Sequence, residues 1–163
     1  MFALVKYLVV FSKEERKAIH AEYWGRFKNH VSSTRSSEGR RINWLNYPTR
    51  LKEIYIRLDV NQERARFSID IQTKDEGIRS IIWEQFEELK NVLETEMETP
   101  GIWTQISYNA AGQEISSIYW ELDGVDIYNS QDENKVFQFF KEHLTRFDRF
   151  YNIYKDILIE LIK

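Results

Sequence analysis

The tripeptide Gln72-Thr73-Lys74 ends a run of alternating apolar and polar residues and sets a lysine two places after a carboxamide. A restriction-type nuclease places a strand acid before an acid-x-Lys segment, where the carboxylates hold a divalent cation that activates water. Gln72-Thr73-Lys74 is a degenerate echo of that segment, and Glu53 and Asp70 are the carboxylates able to complete it. Two carboxylates on a hard oxygen site would suit magnesium, the single cofactor the sequence suggests and only under this reading. Charged residues on a solvated strand face would read the same way, so Glu53, Asp70, Gln72 and Lys74 form a candidate cluster rather than an assigned catalytic set. No catalytic or metal-binding residue is assigned. No Gly-rich phosphate loop, nucleophile elbow, paired-histidine helix or acidic calcium loop occurs, and the six glycines are scattered.

A second chemistry lies in charge. Ten Lys and Arg stand against four acids between Arg26 and Arg66, so this segment is +6 in a chain whose net charge is −3. Arg35, Arg40, Arg41, Arg50, Lys52 and Arg57 are its candidates for contacting the phosphates of a nucleic acid. The competing expectation is a solvated face whose arginines pair with the acidic helices. Overall composition excludes a globally basic binder and a disordered acidic tail. With no cysteines, disulfides, thiolate zinc sites and cysteine nucleophiles are all excluded, which fits a reducing cytoplasm.

The elements that must position these groups begin with a hairpin. Ile54, Ile56, Leu58 and Val60 alternate with Tyr55, Arg57 and Asp59; Ala65, Phe67, Ile69 and Ile71 alternate with Arg66, Ser68, Asp70 and Gln72. Two half-buried strands follow from that period. A two-residue turn would set Arg57 against Arg66 and Glu53 against Asp70, whereas a four-residue turn, Asn61 to Arg64, sets Asp59 against Arg66 and Tyr55 against Asp70. Like charges directly opposite are unfavourable, so the longer turn is expected. It puts Glu53 opposite Gln72 and leaves Asp59 roughly 20 Å from Gln72, outside the cluster.

Three S/T-x-x-E boxes, at Ser12, Thr73 and Ser130, predict helix starts. The first helix carries Ile19, Tyr23, Phe27 and Val31 on one stripe, with His20 and His30 as solvent-facing residues off it. The second carries Ile78, Ile82, Phe86, Leu89, Leu93 and Met97 and ends at Pro100-Gly101. The third keeps a 3-4 spacing from Phe137 to Leu161, a seam about 48 Å long over residues 131–162. That seam serves either packing on the first helix or self-association with another copy. His143 beside it is expected to be structural or exposed. Short strands are expected at Ile42 to Trp44 and at Val125 to Tyr128, and a second hairpin at Ile102 to Tyr108 and Glu114 to Leu122, with a bulge near Ser116 and Ser117. Ser32 to Gly39 has no apolar residue and reads as an exposed, mobile loop.

Residues 1–10 read as a short strand or an extension, with a mis-assigned start at Val10 as a third option; they fit neither a signal peptide nor a membrane span. Residues 11–163 make one domain, with 42% hydrophobic and 15% aromatic residues for its core. The fold class is α+β: a mostly antiparallel sheet built from two hairpin-containing units, with three long helices layered mainly on one face.

The stretches FSKEE at Phe11, GRRINWLNYPT at Gly39, SIDIQTKDEGIR at Ser68, WEQFEELK at Trp83 and GQEISSIYWELDGVDIYN at Gly112 resemble the bacterial family called domain of unknown function 4268. The resemblance runs from Phe11 to about Ile162. It implies a domain that occurs alone or behind a restriction-type nuclease domain, often starting near the position of Phe11, and it brings no established catalytic residues. Ser117 stands where the family's I-S-R-I-Y motif carries arginine, and Gln72 where some members carry glutamate. Together these readings favour a non-catalytic protein-interaction or accessory module in the cytoplasm, with an unknown protein partner or self-association through the 131–162 helix. The alternatives are a nucleic-acid-binding module using segment 26–66 and a degenerate metal-dependent nuclease.

Overall fold

The first hairpin takes the register expected from the avoidance of opposed like charges. In the computed structural model, which describes residues 10–163, Tyr55 faces Asp70, Asp59 faces Arg66 and Val60 faces Ala65. Asn61 fixes the four-residue turn: its Oδ1 accepts the N–H groups of Glu63 and Arg64, both at 2.8 Å. The Gln72 N–H donates to the Glu53 carbonyl at 2.8 Å, continuing the pairing past the strands. The strand or extension expected for residues 1–10 lies outside the described residues, except for Val10, which is exposed.

The described residues fall into two compact units divided between Ser33 and Thr34. The first carries helix α1, Lys13–His30. Ser12 caps it by accepting the Glu15 N–H at 3.1 Å, the bond that the S-x-x-E spacing predicts.

The second unit holds β1 (Ile54–Val60), β2 (Arg64–Ile71), β3 (Ile102–Tyr108) and β4 (Glu114–Asp123), in one antiparallel sheet of order β1-β2-β4-β3. Helices α2 (Glu76–Glu88), α3 (Lys90–Met97) and α4 (Glu133–Leu161) complete an α+β fold. One sheet face is apolar and helix-covered. There Phe67 and Trp120 meet His143 of α4 with ring centroids 5.8 and 6.3 Å apart, and Trp83 of α2 packs edge-on against Trp103 at 5.5 Å. Full burial of Phe67, Phe86, Phe140 and Phe147 contributes roughly 2–3 kcal/mol each from area removed from water. Within the seam of α4, Phe137, Phe140, Leu144, Phe147, Tyr151 and Leu158 are buried, Tyr154 is half-buried and Leu161 is exposed, as are Ile153 and Ile157 beside the seam. Gly101 permits the tight exit from α3, because a β-carbon there would sit 2.9 Å from the Trp120 indole.

Several local expectations are corrected. Residues 42–44 form no strand: the Asn43 side chain accepts the N–H groups of Leu45 and Asn46, making a turn where a ladder was expected. Residues 125–128 are no strand either, since Gly124 and Ile127 donate to the Glu63 and Asn61 carbonyls while Asp126 caps its own turn. The long second helix is two helices, broken at Leu89 (φ −92°, ψ 5°), whose N–H is shared between the Gln85 and Phe86 carbonyls. Asp75, not Thr73, caps α2 by accepting the Ile78 N–H at 3.1 Å, a carboxylate being favoured at the positive helix end. Asn129 caps a 3-10 turn, Ser130–Asp132, ahead of α4, so Ser130 is not the cap. The bulge lies where expected but on the partner strand: Gln105 and Ile106 of β3 oppose Ser116 alone.

Candidate functional site

Because side chains alternate across a strand, the residues that face away from the helices line up on the second sheet face: Tyr55, Arg57 and Asp59 from β1, Arg66, Ser68 and Asp70 from β2, Ser117, Tyr119 and Glu121 from β4. No helix of this unit covers them. Leu45 and Asn46 wall one side and Ser107 to Ala111 another, enclosing a cleft of about 810 Å³. Its floor is Ser68, Asp70 and Ser117, each under one tenth exposed.

Asp70 organises the floor. Its Oδ2 accepts from Arg57 Nη1 at 2.8 Å and its Oδ1 from the Ser117 hydroxyl at 2.7 Å. Arg57 reaches on through Nη2 to Gln72 Oε1 at 2.8 Å, and Gln72 Nε2 donates to Gln113 at 2.9 Å. Arg66 and Arg64 both grip Glu121, at 2.8 and 3.0 Å, and Arg64 also holds Asp59 at 2.7 Å. The guanidinium of Arg57 lies over the Tyr55 ring at 4.5 Å and that of Arg66 over Tyr119 at 4.0 Å, where the ring face attracts a cation.

Of the candidate nuclease cluster, Asp70 and Gln72 are brought together, joined by Arg57. Glu53 is buried beside Gln72, to which its carbonyl is bonded, and Lys74 is exposed beyond the strand end. Neither lines the cleft. Among the described residues no group of three or more His, Cys, Asp or Glu side chains is placed to hold a metal. Magnesium at Asp70 would have to displace a guanidinium already there, so these residues do not fit the ion.

The phosphate-contact candidates behave differently. Arg57 is committed to Asp70, but Arg35, Arg40, Arg41, Arg50 and Lys52 are exposed and have no ion pair among the described residues. The expected pairing of the segment's arginines with acidic helices is corrected for Arg57, Arg64 and Arg66, whose partners lie on strands. The segment that carries the free cations is firmly seated. Asp148 of α4, 2% exposed, accepts the Tyr47 hydroxyl and the Ser37 N–H, both at 2.6 Å. Burial, reinforced by Asp148, raises the Tyr47 phenol well above its ordinary value, and burial raises that of Tyr151, which donates to the Thr49 carbonyl at 2.6 Å. Residues 36–39, expected as a mobile loop, are tied down: Ser36 bonds Arg40 through backbone and hydroxyl, and Glu38 pairs with Lys155. Arg50 holds a left-handed backbone (φ 64°), which a non-glycine residue keeps only where its surroundings impose it.

The family model for the domain of unknown function (DUF4268) matches residues 19–155. The chain belongs to this family. Neither a curated protein nor a solved structure matches it. The DUF4268 match is narrower than the resemblance expected from Phe11 to about Ile162, but it contains the whole cleft, the basic segment from Arg35 to Lys52 and the Asp148 anchor. In this DUF4268 chain, Ser117 sits directly across from Asp70 and holds it by a hydroxyl. Sequence reasoning missed Asp148 and the cleft walls. The one signal for Asp148 is an aspartate one residue after Phe147 of an apolar helical seam, and its partners Tyr47 and Ser37 lie more than a hundred residues away.

Proposed function

We propose that this protein is a non-catalytic accessory module that binds a partner across the open face of its sheet, and that the partner is a nucleic acid. The observation that carries the non-catalytic reading is the pairing of the cleft's charges: Arg57 with Asp70, Arg66 with Glu121, Arg64 with Asp59. General acid-base work needs a group within reach of a substrate proton, and these carboxylates are already engaged by guanidinium groups. The five unpaired cations of segment 35–52 support a polyanionic partner, since phosphate contacts dominate nucleic-acid affinity. No helix among the described residues is long and apolar enough to cross a membrane, and the absence of cysteine suits a cytoplasmic setting. A mobility shift at low salt tests the reading. Binding is expected, weakening as salt rises and lost in Arg40→Glu/Arg41→Glu; no shift at low salt rejects it. Magnesium-dependent plasmid cleavage that disappears in Asp70→Ala would overturn the non-catalytic reading.

A protein partner is supported by a separate feature. Edge strand β3 is free of charge from Ile102 to Tyr108, and Ile102, Ile106 and Tyr108 are exposed. Soluble proteins usually protect such edges with charge, and an uncharged edge suits strand addition by a partner. Co-purification lost in Ile106→Lys, with the cation variants still bound, would favour it.

A further inference from the structure

We infer that the open sheet face takes single-stranded rather than duplex nucleic acid, with bases turned into the cleft and phosphates held by the adjoining segment 35–52; this rests on the nucleic-acid reading above. Three observations converge. First, the cleft and the unpaired cations are separate: the cleft floor holds Asp70, ion-paired and 6% exposed, with the hydroxyl-bearing Ser68 and Ser117, whereas Arg35, Arg40, Arg41, Arg50 and Lys52 are exposed on the adjoining segment and line no part of the cleft. A phosphate driven to the floor would meet a buried carboxylate. A base edge there would meet hydroxyls and acceptor lone pairs suited to its amino and imino groups.

Second, the cleft carries aromatic rings at opposite strand edges of the sheet. Tyr55 on β1 is 40% exposed and Tyr108 on β3 is 65% exposed. Both line the cleft. The Arg57 guanidinium over Tyr55 extends that platform, because planar guanidinium groups and tyrosine rings both stack on bases. In a duplex the bases are stacked and paired inside, so their faces cannot reach such rings without being unstacked. Third, the two features are physically continuous. The segment that displays the cations also supplies Leu45 and Asn46 to the cleft wall, and Asp148 and Tyr151 fix its backbone through Ser37, Tyr47 and Thr49. Phosphate and base contacts are thereby offered in one preorganised frame, which lowers the ordering cost of binding.

Fluorescence anisotropy with the full chain tests this, using a labelled mixed-sequence 15-nucleotide DNA strand, the RNA of the same sequence, and the blunt DNA duplex, all at low salt. At least one single strand is expected to bind tenfold or more tightly than the duplex. Tyr55→Ala and Tyr108→Ala, checked for folding by circular dichroism, are expected to weaken the single strand by roughly fivefold or more each while barely changing the duplex. Tyr55→Phe, which keeps the ring, is expected to retain binding. Arg41→Glu/Lys52→Glu is expected to weaken both forms and flatten the salt dependence. Duplex binding equal to or tighter than either single strand, or unchanged single-strand affinity in both alanine variants, overturns this inference and leaves the nucleic-acid reading standing. Absence of binding to all three probes at low salt overturns both.

Discussion

Two buried carboxylates, Asp148 and Asp70, show how differently this molecule uses the same chemical group. Asp148 is 2% exposed and receives only neutral donors, the Tyr47 hydroxyl, the Ser37 N–H and the Asn152 amide. Asp70 is 6% exposed and receives a cation, Arg57, together with a hydroxyl, Ser117. The first sits on a helix and fastens a distant segment; the second sits on the floor of a cleft with charged neighbours paired around it. Burial of an acid therefore marks two different jobs, and what separates them is the size of the volume beside the group, about 40 Å³ at Asp148 and about 810 Å³ at Asp70.

The comparison breaks most visibly if the anchor is removed. Asp148→Ala would leave the Tyr47 hydroxyl buried without its partner and release the Ser37 N–H, and chemical denaturation should show a loss of about 2–3 kcal/mol. Hydrogen exchange should rise across residues 36–50 in the same variant. Asp70→Asn keeps the shape and the Ser117 bond but releases Arg57, whose side chain is 39% exposed. Here the loss should be only about 1 kcal/mol. If the two variants prove equally destabilised, the distinction between anchor and cleft floor fails.

A third buried polar group sharpens the contrast through pH. Burial among Phe67, Trp120 and Phe139 lowers the His143 pKa from its ordinary 6.5, opposed by the Phe139 carbonyl that accepts from Nδ1 and by Glu142, and aided by Arg146. The unfolded chain takes up this proton near pH 6.5 while the folded chain resists it, so the folded state binds fewer protons. His143 thus contributes a loss of stability as pH falls below 6.5, at no more than about 1.4 kcal/mol per pH unit. Denaturation between pH 5 and 7 should show this slope, and His143→Leu should flatten it. The smallest effect is expected at Tyr55, where Tyr55→Ala should change stability by under about 0.5 kcal/mol, as exposed substitutions do, while changing binding.

How far the fold was legible follows the range of the forces involved. The hairpin register could be read because opposed charges and the two-residue period act between near neighbours, and the side chains then chose other partners, Arg64 for Asp59 and, directly opposite on β4, Glu121 for Arg66. The Ser12 cap was equally local. The break at Leu89 was not legible, since no proline or glycine stands there and both Leu93 and Met97 beyond it are fully buried. The turn at residues 43–46 was not legible, because the alternation of Ile42 and Trp44 reads as a strand while the Asn43 side chain takes the N–H groups of Leu45 and Asn46. At the site, Asp70 and Gln72 were identified from the strand pattern. Arg57 joins them across that same hairpin, whereas the walls raised beside Asp70 by Leu45 and Tyr108 come from chain outside the hairpin, which no local spacing encodes.

The most direct test of the central claim, that the open sheet face is the binding surface, is amide chemical-shift mapping during titration with a single-stranded oligonucleotide. Perturbations are predicted at Tyr55, Arg57, Ser117 and residues 107–111, together with Arg40, Arg41 and Lys52. Perturbations confined to the outer surfaces of α2 and α4, with the cleft silent, would contradict it.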